Sequence, residues 1–232
     1  MCFHLSISKK AQNLEARYKK EFEQADNYEP IFHMNGFSFA EYPVISTEDE
    51  EQFKGYHWGL IPHWAKDDSI RSKTLNARSE TVFEKPSFRS SIKTKRCLIP
   101  VTGFFENKTI GKTKQPYHIS LKSDEIFSLG GIWAEWTDKD TGEIIKTFSI
   151  LTTDANPLMA DIHNLKKRQP VIISSNNESA WLDINLSKQD ILNLCEPYPD
   201  DDMDAYEVSR DLNKRSVYTN TPDILNPNNN LF

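Results

Sequence analysis

The sequence predicts a mixed α+β fold in which a mainly antiparallel, barrel-like sheet carries peripheral helices. Three observations lead there. From Pro116 onward the chain reads as successive strands, helical periodicity is confined to short stretches, and no parallel β-α-β rhythm occurs. There are no internal repeats and no linker, so one domain is expected over 1–218, followed by a tail over 219–232.

After a short apolar start, Leu14, Tyr18 and Phe22 recur at steps of four, which predicts an amphipathic helix over Ala11 to Ala25. Residues 31–45 mix aromatics with Gly36 and Pro43, as strands and turns do. YHWGLIPHWA reads as a strand ending at Pro62. Two short helices follow, separated by Pro86, with Ser87 as the N-cap of the second, and then a strand over Arg96 to Val101. Tyr117, Ile119 and Leu121 alternate with polar residues, Ile126 to Trp136 forms a second run, and Phe148 to Leu151 lies in a third beyond a turn at Thr141-Gly142. PVIIS, Pro170 to Ser174, reads as a buried strand, and Ser187 with Asp190 resembles a capping box for the helix through Cys195. The tail TNTPDILNPNNNLF, rich in Asn and Pro, is expected along the surface or mobile.

Composition narrows the function. Of 232 residues, 38% are hydrophobic and 27% charged, enough for a sizeable core. A net charge of −6 argues against a protein that coats duplex DNA. The acidic excess sits in EDEE (48–51) and PDDDMD (199–204). The basic clusters Lys93 to Arg96 and Lys166 to Arg168 are each read first as a solvated face, with an anion-binding surface as the alternative. MCFHLSISKK is not a secretory signal and nothing reaches the roughly 18 apolar residues of a membrane helix, so a cytoplasmic protein with no membrane partner is expected. Cys2, Cys97 and Cys195 are odd in number, with no CxxC pair and no zinc spacing. No disulfide framework, metal or cofactor is expected, and Cys97 and Cys195 read as buried structural residues.

Four places carry possible chemistry. Removal of Met1 would leave Cys2 with a free amine beside its thiol, groups that ordinarily titrate at about 7.7–8.0 and about 8.5. Such an aminothiol condenses with an aldehyde to an imine and then a five-membered thiazolidine; it can also serve as an N-terminal nucleophile for amide hydrolysis. Glu106 ends the aromatic GFFE after the apolar CLIPV, where a carboxylate can move protons. His163 follows a short apolar turn. In LNARSE, Asn76 suits a sugar hydroxyl and Arg78 a phosphate. Taken singly, each has a plainer reading as a surface or structural residue.

Together with their neighbours they say more. Cys2, WGLIPHWA, NARSET, KPSFRSS, RCLIPVTGFFE, KQPY, LTTDAN and IHN…RQPVII occur in this order over about three-quarters of the chain. The set closely resembles the SRAP family, the SOS response-associated peptidase domain of abasic-site processing proteins. The resemblance implies the SRAP fold and covalent capture of abasic sites in single-stranded DNA, at strands and at single-strand/duplex junctions, by a protein expected to be monomeric. It implies Cys2 as the crosslinking residue, Asn76 as the holder of the sugar, Glu106 as the acid/base and His163 as the residue assisting ring opening and release. Arg78 and Arg89 would bind phosphates, and Trp64 would line the DNA groove.

The chain departs from the family pattern in places. Phe3 and His4 follow Cys2 where a Gly-Arg pair is common, so a phosphate-binding arginine is missing; His4 would replace it only in part, with Lys166 and Lys167 as an electrostatic compensation. Asn107 stands where an aromatic often follows the glutamate, and Leu165-Lys166-Lys167 lengthens the stretch after His163. Lyase or autopeptidase activity, a cysteine peptidase built on Cys2, and a non-catalytic single-strand-binding module remain as alternatives.

Overall fold

The computed structural model describes residues 2–23 and 25–228. In chain order its strands are β1 (His4–Ile7), β2 (Glu21–Phe22), β3 (Ile31–Asn35), β4 (Glu41–Ser46), β5 (Asp49–Trp58), β6 (Asn76–Arg78), β7 (Arg96–Val101), β8 (Gly103–Ile110), β9 (Thr113–Leu121), β10 (Phe127–Thr137), β11 (Ile144–Asp154), β12 (Arg168–Pro170), β13 (Ile172–Ile173) and β14 (Met203–Glu207). Its helices are short: α1 (Ala11–Tyr18), α2 (Ser91–Thr94), α3 (Pro157–Ile162), α4 (Glu178–Leu182) and α5 (Lys188–Asn193).

Five strands close a barrel. β11, β10, β7, β4 and β5 pair antiparallel in sequence around it, and a parallel contact, Thr147 opposite His57 and Phe148 opposite Trp58, joins β5 back to β11. Closure removes the free edges an open sheet would expose. Beside the barrel lies a five-stranded sheet of order β14-β9-β8-β1-β3. Only Thr102 separates β7 of the barrel from β8 of the sheet, and its N–H donates to the Ser6 carbonyl at 2.8 Å. The fold is the mixed α+β, mainly antiparallel barrel expected, and strand β7 has the bounds read from the sequence.

Other elements differ for identifiable reasons. The helix expected over Ala11 to Ala25 stops at Tyr18, because Lys19 turns left-handed at φ 55°. Phe22 instead joins β2, paired with β5 and stacked on Phe53 with ring centroids 5.0 Å apart. The strand expected to run to Pro62 ends at Trp58, because Gly59 adopts φ +105°, a conformation a side chain would strain. Ser87 does not cap a helix: α2 begins at Ser91, behind a 3-10 turn over Ser79–Thr81. PVIIS is divided between β12 and β13. At α5 the Ser187 hydroxyl does accept the Asp190 N–H.

The basic clusters are partly internal. Arg96 is fully buried, and its guanidinium donates to the carbonyls of Ile92, Lys93, Trp181 and Asp183. Arg168 is also buried and is held by Glu80, Asp154 and the Thr152 carbonyl. The solvated face expected at these two positions is therefore absent; each buried guanidinium donates to carbonyl or carboxylate oxygens in place of the water that burial removes. Cys97 and Cys195 are buried free thiols. Residues 219–228 of the tail pack down, with Ile224 buried in a cluster with Phe105, Val208 and Leu212. Residues 229–232 lie outside the described residues, as does Met1. Among the described residues no helix is long and apolar enough to cross a membrane.

Candidate active site

The site forms where the barrel meets the sheet. Chain order alone separates its residues widely; strand pairing unites them. β6 lies parallel to β11, Asn76 opposite Ile150 and Arg78 opposite Thr152, so Asn76 and Arg78 share one face while Ala77 turns into the core. β8 pairs with β1, Phe105 opposite His4 and Phe104 opposite Leu5, which brings Glu106 alongside the N-terminal residues. On the other side of β8, Gly103 leaves room for the His118 ring of β9, since a Cβ there would stand 2.2 Å from His118 Nε2.

Cys2 is 1% exposed. Its carbonyl accepts a hydrogen bond from Asn76 Nδ2 at 2.8 Å, and its Sγ lies 3.8 Å from the His4 carbonyl. Burial, reinforced by the negative charge of Glu106, pushes the Cys2 thiol up to about 12. At neutral pH the sulfur therefore carries its proton. Asn76 Oδ1 is buried and has no hydrogen-bond partner among the described residues. An orphaned acceptor beside Cys2 suits a ligand that brings a donor.

Glu106 and His163 complete the constellation. Both side chains are nearly buried, and His163 Nδ1 lies 3.9 Å from Glu106 Oε2. Glu106 Oε1 accepts the Asn107 N–H at 3.1 Å. His163 Nδ1 is 2.9 Å from the Arg168 carbonyl and 3.3 Å from the Arg168 N–H. A carbonyl can only accept, so the shorter contact puts the ring proton on Nδ1 and leaves Nε2 as the basic nitrogen. Burial lowers the His163 pKa, opposed by the Glu106 charge.

His163 stands at the end of α3, whose start is set by Asn156: its side chain accepts the Met159 N–H at 2.8 Å, with Pro157 in the first turn. The next residue fixes the other end. Asn164 Nδ2 donates to the Thr109 carbonyl at 2.9 Å, and Asn164 Oδ1 accepts the Thr109 N–H at 3.2 Å. This amide thus docks the histidine loop on the strand that carries Glu106. An exposed ion pair, Lys108 to Asp161 at 2.6 Å, adds a second clasp.

Comparison with known proteins identifies the family of the chain. A family model described as SOS response associated peptidase (SRAP) matches residues 1–215. The chain belongs to the SRAP family. The abasic site processing protein YoqW of Bacillus subtilis (strain 168) is 42% identical over 184 residues, 78% of this chain and 80% of that protein. The abasic site processing protein HMCES of Gallus gallus is 31% identical over 206 residues, 78% of this chain and 59% of its own length. A crystal structure of a Bacteroides thetaiotaomicron protein matches with a TM-score of 0.92 and 42% identity, covering 97% of this chain and 99% of that one.

Within this SRAP fold Cys2, Asn76, Glu106 and His163 converge, whereas the residues expected to bind DNA spread outward. Arg78 and Arg89 are exposed. Trp64 is 49% exposed, with its Nε1 donating to the Pro86 carbonyl at 3.4 Å, which links its loop to the segment bearing Arg89. His4 stacks on His33, with His4 Nδ1 and His33 Nε2 2.8 Å apart. Burial, then the neighbouring His33, lowers His4 to about 3. It is neutral at pH 7 and serves as a hydrogen-bonding link rather than as a cation. Among the described residues no group of His, Cys, Asp and Glu could hold a metal ion.

Reading the sequence missed Asn164, Arg168 as the residue whose carbonyl orients His163, and the reciprocal amide pair of Asn107 with Asn213 at 2.9 and 3.1 Å. Asn164 was visible in the motif IHN. The Asn107–Asn213 pair spans 106 residues and left no local signal.

Proposed function

We propose that this protein processes abasic sites in single-stranded DNA by capturing the open-ring sugar aldehyde on Cys2 after Met1 has been removed. The Cys2 amine attacks the aldehyde carbon, water leaves and an imine forms. The sulfur then adds to the same carbon while its proton passes to nitrogen, closing a thiazolidine. One C=O bond is lost, one C–N and one C–S bond form, and one water is released. Glu106 is the group suited to move these protons, and His163 Nε2 the base suited to assist ring opening and release. Asn76 would fix the Cys2 backbone through its donor and offer its orphaned Oδ1 to the sugar. Arg78, Arg89 and Trp64 would hold the strand on either side of the lesion. The adduct would shield the lesion from strand cleavage, as part of a DNA damage response in the cytoplasm, at single strands or single-strand/duplex junctions, by a protein acting as a monomer.

The observation that carries this reading is geometric: Cys2, held by Asn76, and the Glu106–His163 pair meet where the barrel joins the sheet, setting an N-terminal aminothiol near a carboxylate and an imidazole. A cysteine peptidase needs a thiolate, stabilised by a nearby cation. Here burial and a carboxylate hold the Cys2 thiol in its protonated form, up at about 12. Capture begins at the amine instead and needs the sulfur only at ring closure, with a carboxylate close by. The abasic-site processing named for the relatives in Bacillus and chicken points the same way. Any lyase activity would arise at the imine before the sulfur closes the ring: the carbon next to the imine carbon loses a proton and the 3′ phosphate departs by β-elimination. The test is denaturing electrophoresis with an abasic single strand: Cys2→Ala should lose the covalent band yet bind an undamaged strand as the native protein does. An equal covalent yield from Cys2→Ala would reject the mechanism.

A further inference from the structure

Beyond residue 215, where the family match ends, the chain continues into a loop tied down at both ends. On one side Asn213 pairs with Asn107, the residue after Glu106. On the other, Thr219 Oγ1 lies 2.6 Å from His33 Nδ1, and Asn220 Oδ1 accepts the N–H groups of Phe32 and His33 at 2.7 and 3.1 Å. His33 in turn contacts His4, two residues from Cys2. The loop is thus anchored to both strands that flank the candidate active site.

Between these anchors Tyr218 stands 75% exposed, the most exposed large aromatic or aliphatic side chain among the described residues. It borders a groove of about 390 Å³ together with Asn35, Ser38, Lys214, Arg215 and Val217. Phe37, 50% exposed, follows Asn35 in the turn that forms the opposite wall. A rigidly tied loop that presents an aromatic ring to water contributes nothing to the core through that ring. Aromatic rings beside cationic side chains fit an unpaired nucleic-acid strand, whose bases stack and whose phosphates attract the cations.

We infer that this groove is the path of the unpaired strand on one side of the lesion, with a base stacked on Tyr218 and phosphates near Lys214 and Arg215. The inference rests on the proposed reading of the site as one for single-stranded DNA. It assigns a part in strand binding to Tyr218, beyond the family-matched residues, with Lys214 and Arg215 at the end of the matched stretch.

The test uses the full chain and a fluorescein-labelled, undamaged single strand, read by anisotropy, so that it needs no chemistry at Cys2. Tyr218→Ala and Tyr218→Leu should weaken binding by roughly five- to a hundredfold, while Tyr218→Phe and Tyr218→Trp stay within about twofold, as loss or retention of one stacked base requires. Tyr218→Ala binding within about twofold of the native protein would overturn the inference, as would a Phe variant as weak as the Ala variant. Should Tyr218→Ala melt earlier than the native protein, Arg215→Glu probes the same groove: at least a fivefold loss supports the inference and unchanged affinity overturns it. If the native protein itself fails to bind single strands, the reading of the site falls, and this inference with it. If the native protein binds and the variants match it, only the inference falls.

Discussion

Replacing Asn164 by alanine removes both hydrogen bonds that dock the His163 loop on β8. Each such bond contributes about 1 kcal/mol net, so the docked arrangement loses about 2 kcal/mol. That is roughly a thirtyfold shift towards a released loop, since each 1.4 kcal/mol is tenfold. The remaining clasp, Lys108 with Asp161, is exposed and screened by salt, and cannot restore the balance. The Thr109 amide should therefore exchange with deuterium about thirtyfold faster, and the melting temperature should fall by no more than about 8 °C. With His163 no longer held 3.9 Å from Glu106, the single-turnover rate of capture should drop and its pH profile should change shape. Asn164→Asp keeps the acceptor for the Thr109 N–H but sets a carboxylate oxygen against the Thr109 carbonyl, so it should not rescue. An alanine variant with native Thr109 protection and a native pH profile would refute the idea that this amide positions the histidine.

Three further outcomes follow from the same geometry. Burial lowers His33 and His118 to about 4, so the unfolded chain takes up protons below pH 6.5 that the native state refuses. Their stabilisation is complete above that pH and is lost as pH falls towards the folded values, by about 2 kcal/mol each at pH 5; urea unfolding at pH 7.5 and 5 measures it, and equal midpoints would contradict it. Arg96→Met should cost about 2–6 kcal/mol in urea unfolding, because the carbonyls of Trp181 and Asp183 each lose a donor at about 1–3 kcal/mol; a loss below about 1 kcal/mol would show that water replaces the guanidinium. Arg78→Ala should weaken single-strand binding and flatten its dependence on salt by about 0.7 in the log-log slope, whereas an unchanged slope would remove Arg78 from the phosphate contacts.

Much of the fold is legible in the sequence because strand alternation is a local signal. Tyr117, Ile119 and Leu121 announce β9 without reference to anything distant, and Arg96 to Val101 does the same for β7. The misread elements are those settled by tertiary partners. Phe22 keeps a helical step in sequence but finds Phe53 in space, and Arg96 reads as surface charge until four carbonyls close around it. The candidate site divides in the same way. Cys2, Asn76, Glu106 and His163 stand out through residue chemistry and motif. Their mutual placement depends on β6 lying parallel to β11 and on Asn164 reaching Thr109, neither of which has a one-dimensional signature.

The central claim is that the Cys2 amine and thiol together capture an aldehyde. Its most direct test is the intact mass of the purified protein before and after incubation with an abasic single-stranded oligonucleotide. The mechanism predicts a starting mass lacking Met1, followed by a gain equal to the oligonucleotide minus one water, with no free thiol remaining at Cys2. A protein that has lost Met1 but gains no mass, or one that gains it with the Cys2 thiol still free to alkylation, would contradict the thiazolidine.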